Sequence, residues 1–407
     1  MKIRNNINLP VSSLIMYKIK QVPEDFIVEE ITRFGNGIQV KEDKEDCKYI
    51  YCILKKRDYT TLKALQIISH ELGLSLNNIG FAGNKDRVAV TQQAISIYDP
   101  GNRAKPKIDK FNSDNSAKGI ELKFVGYGNC PISLGELEGN KFRIVVRNLG
   151  NKELVKLKKL DAMQLNDTKQ LKFVNFYGEQ RFSKSNKDIG KLLLQKRFKD
   201  AVELIIKTEG ESENKVTSYL TNYSNDYVNA LKQIPRKLLL MYVHSYQSYI
   251  WNLAAEKVLR KIKGDKKKSI EQNKEKDTEG HGKDNSEMHV IEIPVVGFGT
   301  DIDRIENTII RKIVSDIMKK ECMTERDFII RQLPEVSAEG KYRQLFCEVR
   351  DFKIIAITDG LTKEDKSAKK DGLAEEDELH KGKKKRFLEF TLPKSSYATE
   401  VVRQMFE

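Results

Sequence analysis

Gly80-Phe81-Ala82-Gly83-Asn84-Lys85-Asp86-Arg87-Val88-Ala89-Val90-Thr91-Gln92-Gln93 is the stretch that decides the fold. Small and turn-forming residues precede an alternating, strand-like segment from Val88 to Ile97. One acid, Asp86, stands between Lys85 and Arg87. Flanking cations favour the ionised form of a carboxylate, the form that acts as a nucleophile. Composition alone also describes an ordinary turn before a strand.

Outward from that stretch the chain changes character twice. Residues 17–31 alternate around Pro23 and read as two short strands, and 47–55 as another. Thr60 or Thr61 can cap a helix that carries Leu62, Leu65, Ile68 and Leu72 and stops at Gly73. Strands follow near 90–98, 119–127 and 141–148. From about residue 151 the apolar spacing becomes helical, over 152–165, 187–207, 226–233 and 236–262. Residues 290–296 read as strand, 306–321 as helix, 344–357 and 386–393 as strand, and 398–406 as helix. Two stretches, 263–288 and 362–385, are charged and nearly free of apolar residues, and read as solvated loops or flexible insertions.

The bulk numbers narrow the class. A chain of 407 residues allows two or three domains. A net charge of +14 suits a polyanionic partner without specifying one. Cys47, Cys52, Cys130, Cys322 and Cys347 form no Cys-x-x-Cys pair, and no cysteine or histidine spacing suits zinc. We therefore expect a reduced, intracellular protein without a metal. No apolar run reaches the roughly 20 residues of a membrane span, and the first fifteen residues lack a signal-peptide pattern, which argues against a membrane protein or a secreted one. Asn84-Lys85-Asp86 departs by one residue from the guanine-specifying Asn-Lys-x-Asp, and no phosphate-binding Gly-x-x-x-x-Gly-Lys-Ser/Thr exists, so a nucleotide-binding switch is set aside.

Four further stretches matter. Lys20-Gln-Val-Pro-Glu-Asp-Phe-Ile-Val-Glu29 reads as a turn between strands. In Gly135-Glu-Leu-Glu-Gly-Asn-Lys-Phe-Arg-Ile-Val-Val-Arg147, Gly139-Asn140 reads as a turn and Phe142 opens a strand as a core aromatic. Val174-Asn-Phe-Tyr-Gly-Glu-Gln-Arg-Phe182 gathers aromatics around Gly178 and Arg181, as an RNA-contacting loop or a structural junction would. Phe390-Thr-Leu-Pro-Lys-Ser-Ser-Tyr-Ala-Thr399 reads as a strand leading into a capped helix, with Arg403 beyond it.

Together with Ala82-Gly-x-Lys-Asp-x-x-Ala-x-Thr-x-Gln93, these stretches resemble, in order, the signatures of the TruD family of pseudouridine synthases. Gln247-Ser-Tyr-Ile-Trp-Asn252 is similar to a further family segment and reads mainly as helix packing. Two departures are Ser183 and Ser395, each where many members have Gly. The resemblance runs from near residue 17 to the C-terminal stretch. It implies an α+β fold: a pseudouridine-synthase catalytic domain on a mixed, largely antiparallel sheet, with an inserted, mainly helical domain. Residues 1–165 with 352–407 would form the first and 166–351 the second. It implies isomerisation of uridine to pseudouridine in tRNA, commonly at position 13, by a monomer in the cytoplasm, without metal or cofactor because atoms only rearrange. Asp86 would be the nucleophile or electrostatic stabiliser. Lys20 would pair with it, Lys85 and Phe390 would support the site, Asn140 would hydrogen-bond near the catalytic loop, and Phe142 would stack on the flipped base. Phe26, Arg87, Tyr177 and Arg181 would meet RNA. A non-catalytic RNA-binding or tRNA-chaperone protein of the same descent is the alternative.

Overall fold

The computed structural model describes residues 17–32, 38–44, 46–165, 171–182, 185–208, 211–274, 290–355 and 375–407. β1 (Phe26–Thr32), β2 (Tyr49–Arg57), α1 (Thr61–Leu72), β3 (Ile79–Phe81), β4 (Val90–Tyr98), α2 (Lys105–Asn115), β5 (Ile120–Gly128), β6 (Leu137–Leu149) and α3 (Asn151–Leu165) come first. β7 (Leu171–Val174) precedes α4 (Asn186–Leu194), α5 (Phe198–Ile206), α6 (Glu211–Asn222), α7 (Tyr227–Lys232), α8 (Arg236–Lys274), β8 (Glu292–Val295), α9 (Thr308–Glu321) and β9 (Lys341–Gln344). β10 (Phe346–Ile355), β11 (Glu375–Glu376), β12 (Lys384–Pro393) and α10 (Ala398–Phe406) follow. Among the described residues these elements form two compact units, one reaching Phe173 and resuming over Glu348–Glu407, the other Val174–Cys347.

The first unit is built on a sheet ordered β5-β2-β4-β1-β6-β12-β10-β7, with β3 on β4 and β11 on β12. The β1–β4 pair is parallel, and β1–β6, β6–β12, β2–β4 and β2–β5 are antiparallel. Alternation along β2 turns Ile50, Cys52 and Leu54 to one face, where they meet Ile95 and Ile97 of β4, α1 through Leu65, Ile68 and Leu72, and α2 through Ile108 and Phe111. Thr60 caps α1 by accepting from the Lys63 amide at 3.2 Å, and Gly73 ends it at φ 67°.

The second unit is mainly helical, with a two-stranded β8–β9 sheet. Its core is α8, whose Tyr246, Ile250 and Trp251 are buried. The Trp251 indole donates to the Ile293 carbonyl at 3.2 Å, as a buried ring N–H requires. α4 lies so close to α8 that a Cβ on Gly190 would sit 2.1 Å from the Tyr242 carbonyl oxygen.

Several sequence expectations change. Gly139 and Asn140 are not a turn: both lie within β6, paired with Pro393 and Leu392 of β12. A Cβ on Gly139 would stand 2.3 Å from the Leu392 carbonyl oxygen, so glycine marks close backbone approach here. The stretch before Pro23 gives an isolated bridge from Lys18 to Arg147 and a 3-10 turn over Pro23–Asp25. The charged stretch from 263 begins as helix, because α8 continues to Lys274; Lys and Glu are good helix formers and need no buried face to extend one. Residues 275–288 lie outside the described residues, as do 362–374 of the second charged stretch, whose remainder holds β11 and the start of β12. The 187–207 segment divides into α4 and α5 around Lys196, which sits at φ 58°. α2 and α6 have too few apolar residues to show a helical period.

Candidate active site

The site of the first unit begins as rows across the sheet. Glu30, Asn140 and Leu392 stand side by side on β1, β6 and β12. Val28, Phe142 and Phe390 form the next row, and Phe26, Ile144 and Leu388 the third. Directly paired residues project to the same face. The rings run together: Phe390–Phe142 centroids are 5.7 Å apart and Phe142–Phe26 5.9 Å. All three phenylalanines are buried.

Lys20 joins this apolar wall to the acid. Its Nζ lies 4.0 Å from the centre of the Phe26 ring and donates to Asp86 Oδ2 at 2.5 Å. The Asp86 carboxylate remains 42% exposed, so it can meet a substrate. Lys20 takes φ 56°, a strained conformation for a side-chain-bearing residue. The strain has a visible support. Asp25, fully buried, accepts from the amides of Gln21 and Val22 at 3.0 and 3.2 Å and from Arg147 Nε at 2.8 Å. Arg147 also donates to Asp377 at 3.0 Å and Glu378 at 2.9 Å. The Glu378 carboxyl is pulled down to about 2, first by its bond from Lys385 and then by Arg147.

The cations that flank Asp86 in sequence point elsewhere. Lys85 donates to Glu30 at 2.5 Å, in a pair whose side chains are almost wholly buried. Arg87 is exposed and lies 3.4 Å from Asp58. Asp86 is thus countered by Lys20, 66 residues away. The loop has no regular alternation, and its three consecutive charges reach three separate partners, Glu30, Lys20 and Asp58.

The loop itself is held by Lys56, Thr61 and Gln93, none of which the sequence pattern assigned to the site. Lys56, fully buried on β2, donates to the carbonyl oxygens of Asp86 at 2.8 Å and Tyr59 at 2.6 Å. Burial pushes its ammonium down to about 8, against the Asp86 charge, which raises it. Thr61 accepts from the Lys85 amide at 2.9 Å and donates to Gln93 Oε1 at 3.1 Å. Gln93 Nε2 donates to the Gly83 carbonyl at 3.0 Å. A signal existed in the sequence. Ile50, Cys52, Leu54 and Lys56 share the inward parity of one strand, and a lysine in that register is anomalous.

Asn140 is placed beside this loop's anchor, paired with Glu30 on β1. Its Oδ1 is buried without a hydrogen-bond partner among the described residues. An orphaned buried acceptor in a candidate site points to a missing donor. Tyr177 and Arg181 belong to the second unit. Tyr177 is buried, its ring covered by Arg343 at 4.2 Å and meeting Trp251 edge-on at 5.6 Å. Among the described residues no group of three His, Cys, Asp or Glu side chains could hold a metal ion, and no helix is long and apolar enough to cross a membrane.

The profile of a single family, tRNA pseudouridine synthase D (TruD), matches residues 12–219 and 206–405. The chain belongs to the TruD family. A protein of Thermococcus sibiricus named "Probable tRNA pseudouridine synthase D" is 30% identical over 96% of this chain and 94% of its own length. The tRNA pseudouridine synthase D of Aquifex aeolicus is 33% identical over 58% of this chain and 64% of its own. The crystal structure of a candidate TruD protein from Methanosarcina mazei superposes with a TM-score of 0.62 at 28% identity, over 96% of this chain and 93% of that one.

Proposed function

We propose that this TruD chain isomerises a uridine of tRNA to pseudouridine, with Asp86 as the group that meets the reacting nucleoside. One observation carries the reading. The half-exposed Asp86 carboxylate, held by Lys20 and by Lys56 through its own carbonyl, stands at the end of a wall of three phenylalanines.

The reaction breaks N1–C1′, turns the uracil within the site, forms C5–C1′ and moves one proton from C5 to solvent while N1 gains one. No atom is added or lost. A uridine within structured RNA must first be extruded, at a cost of a few kcal/mol. Phe142, backed by Phe390 and Phe26, offers the flat apolar face on which the extruded base stacks. The orphaned Asn140 Oδ1 accepts from an imide N–H such as N3–H of uracil. Lys20 balances the Asp86 charge and stays within reach of the developing oxyanion on sugar or base. Lys85 supports the site at one remove, by locking the loop to Glu30, and the exposed Arg87 is free to approach phosphate once it leaves Asp58. The β-sheet unit is the catalytic domain and Val174–Cys347 the inserted one in this reading, with the U13 position of tRNA as its target and the cytoplasm as its place of work. The chain acts as a monomer without a cofactor.

The test is tritium release from tRNA labelled at uracil C5, with wild type and Asp86→Asn side by side. Release by the wild type alone supports both the activity and the role of Asp86. Equal release from both removes Asp86 from the chemistry. Tight tRNA binding without release from either, on tRNA and on total cellular RNA, favours the non-catalytic RNA-binding alternative.

A further inference from the structure

One part of the second unit brings Arg181, Lys341 and Arg343 around α8 with no carboxylate paired to Arg181 or Lys341 among the described residues. His244, Ser248 and Asn252 follow at four-residue spacing on α8 and so share one side of the helix. That side receives the 175–182 segment. The Asn252 amide donates to the Tyr177 carbonyl at 3.0 Å and its oxygen accepts from the Tyr177 N–H at 3.0 Å. Arg181 Nε donates to Ser248 Oγ at 3.1 Å, and that hydroxyl donates to the His244 carbonyl at 2.7 Å. β9 brings Lys341 and Arg343, two residues apart and therefore on one side of the strand. Arg343 lies 4.2 Å and Arg181 5.5 Å from the centre of the same Tyr177 ring.

The roles of these cations differ. Arg343 is committed to structure, with bonds of 2.6 to 3.0 Å to the carbonyl and side-chain oxygens of Asn175. Arg181 holds Ser248 through Nε alone, and its terminal nitrogens meet no hydrogen-bond acceptor among the described residues. Nor does the Lys341 ammonium, and no carboxylate among the described residues forms an ion pair with Arg181, His244 or Lys341. The cost of this gathering is visible. Burial first, then Arg181 and Lys341, pushes the His244 imidazole down to about 4. Desolvation first, then Arg181 and Arg343, lowers the Lys341 ammonium. Arg181 and Lys341 thus bring positive charge without a paired carboxylate beside a neutral imidazole, and an anion would supply the counter-charge.

We propose that Arg181, Lys341 and His244 form a binding site for one backbone phosphate of the RNA. The guanidinium presents two adjacent donors to phosphate oxygens, the ammonium a mobile point charge, and the imidazole a further N–H. The inference rests on the reading of this chain as an RNA-modifying enzyme, and it gives the helical unit a phosphate anchor of its own. Such a contact positions the RNA and carries no sequence information by itself.

Equilibrium binding of unmodified tRNA across a salt series tests it, using the full chain and Lys341→Gln. Loss of one phosphate contact reduces the slope of log K against log salt by about 0.9. The variant's disadvantage then shrinks about 3.5-fold between about 50 and about 200 mM salt. In turnover, KM rises while kcat at saturating tRNA is unchanged. A second readout is independent of RNA. Titration with inorganic phosphate moves the His244 ring resonance midpoint upward in the wild type and not in Lys341→Gln, with His244→Gln assigning the signal. An unchanged slope together with an unmoved His244 midpoint overturns the site. Altered slope in a protein that releases no tritium keeps the phosphate site and sinks the catalytic reading; normal turnover with an unaltered slope does the reverse.

Discussion

Lys56→Met separates positioning from folding. The wild-type ammonium is fully buried and held near a pKa of about 8 instead of 10.5. Keeping it charged at pH 7 costs about 3 kcal/mol, converted at about 1.36 kcal/mol per pH unit. Its bonds to the Tyr59 and Asp86 carbonyls offset that by about 1.5–3 kcal/mol each. The balance is about 0–3 kcal/mol in favour of lysine, and methionine fills a similar volume, so Lys56→Met should lose no more than about 3 kcal/mol in urea unfolding at pH 7. Turnover should not be spared. A displacement of about 1 Å in a reacting group costs about 100-fold. With the Asp86 carbonyl released, kcat should fall about 10- to 100-fold while KM for tRNA holds. The pH dependence supplies the sign. Because the folded pKa is depressed, the folded protein binds fewer protons than the unfolded chain between about pH 8 and 10.5. The penalty is full below about pH 8 and is relieved as pH rises towards 10.5, so wild type gains on the variant by about 3 kcal/mol at most across that window. In Asp86→Asn, which removes the charge that raises Lys56, the relief should begin at lower pH. Unchanged kcat in a stably folded Lys56→Met would refute the positioning role, and a rise in KM alone would assign Lys56 to RNA binding.

Three other outcomes follow from the same geometry. Phe142→Leu keeps most of the buried volume and should cost less than about 1.5 kcal/mol in stability, yet lower kcat at least tenfold by removing the ring face; parallel loss of stability and activity would make Phe142 core alone. Arg147→Met strips Asp25 and Asp377 of their buried partner and should cost about 3–5 kcal/mol by thermal or urea unfolding, since both carboxylates stay buried; a loss under about 1 kcal/mol would mean the network relaxes to water. His244 has a depressed folded pKa, so the folded protein binds fewer protons than the unfolded chain between about pH 4 and 6.5. Stability should fall as pH drops through that range, by at most about 3 kcal/mol, and His244→Gln should flatten that part of the curve; an identical acid profile for the variant would remove His244 as the cause.

The backbone was legible where one period dominated. α1 announces itself through Thr60, its apolar face and Gly73, and the structure places cap and stop on those residues. β6 was misread at its start because Gly139-Asn140 has turn composition, while the glycine in fact answers to Leu392 across the sheet. That requirement is tertiary and leaves no local trace. The site was legible as a set of residue types and not as a set of partners. Lys20 reaches Asp86 and lies over Phe26, with Phe142 and Phe390 ranged behind it, but Lys85 and Arg87, the neighbours of Asp86 in sequence, turn to Glu30 and Asp58. Asp25 reads as half of a plain turn, and only the fold shows it tying the Lys20 turn to Arg147.

The division of labour along these stretches has a physical logic. The group proposed to meet substrate, Asp86, sits on a loop, where a carboxylate can remain open to solvent. Four of the groups that fix that loop lie on helices and strands. Lys56 holds its carbonyl from β2, Gln93 holds Gly83 from β4, Thr61 holds the Lys85 amide from the first turn of α1, and Glu30 holds the Lys85 ammonium from β1. Four anchors on four elements leave the loop little freedom to follow the substrate, and the entropy of ordering it is met when the sheet folds and not when RNA binds. Lys20 comes from a separate segment, on a strained turn that Asp25 supports. The carboxylate is thereby pinned by its backbone and countered by a separate chain segment. A substrate oxygen can then draw on the Lys20 ammonium without loosening Asp86, which a flanking lysine on the same loop could not permit.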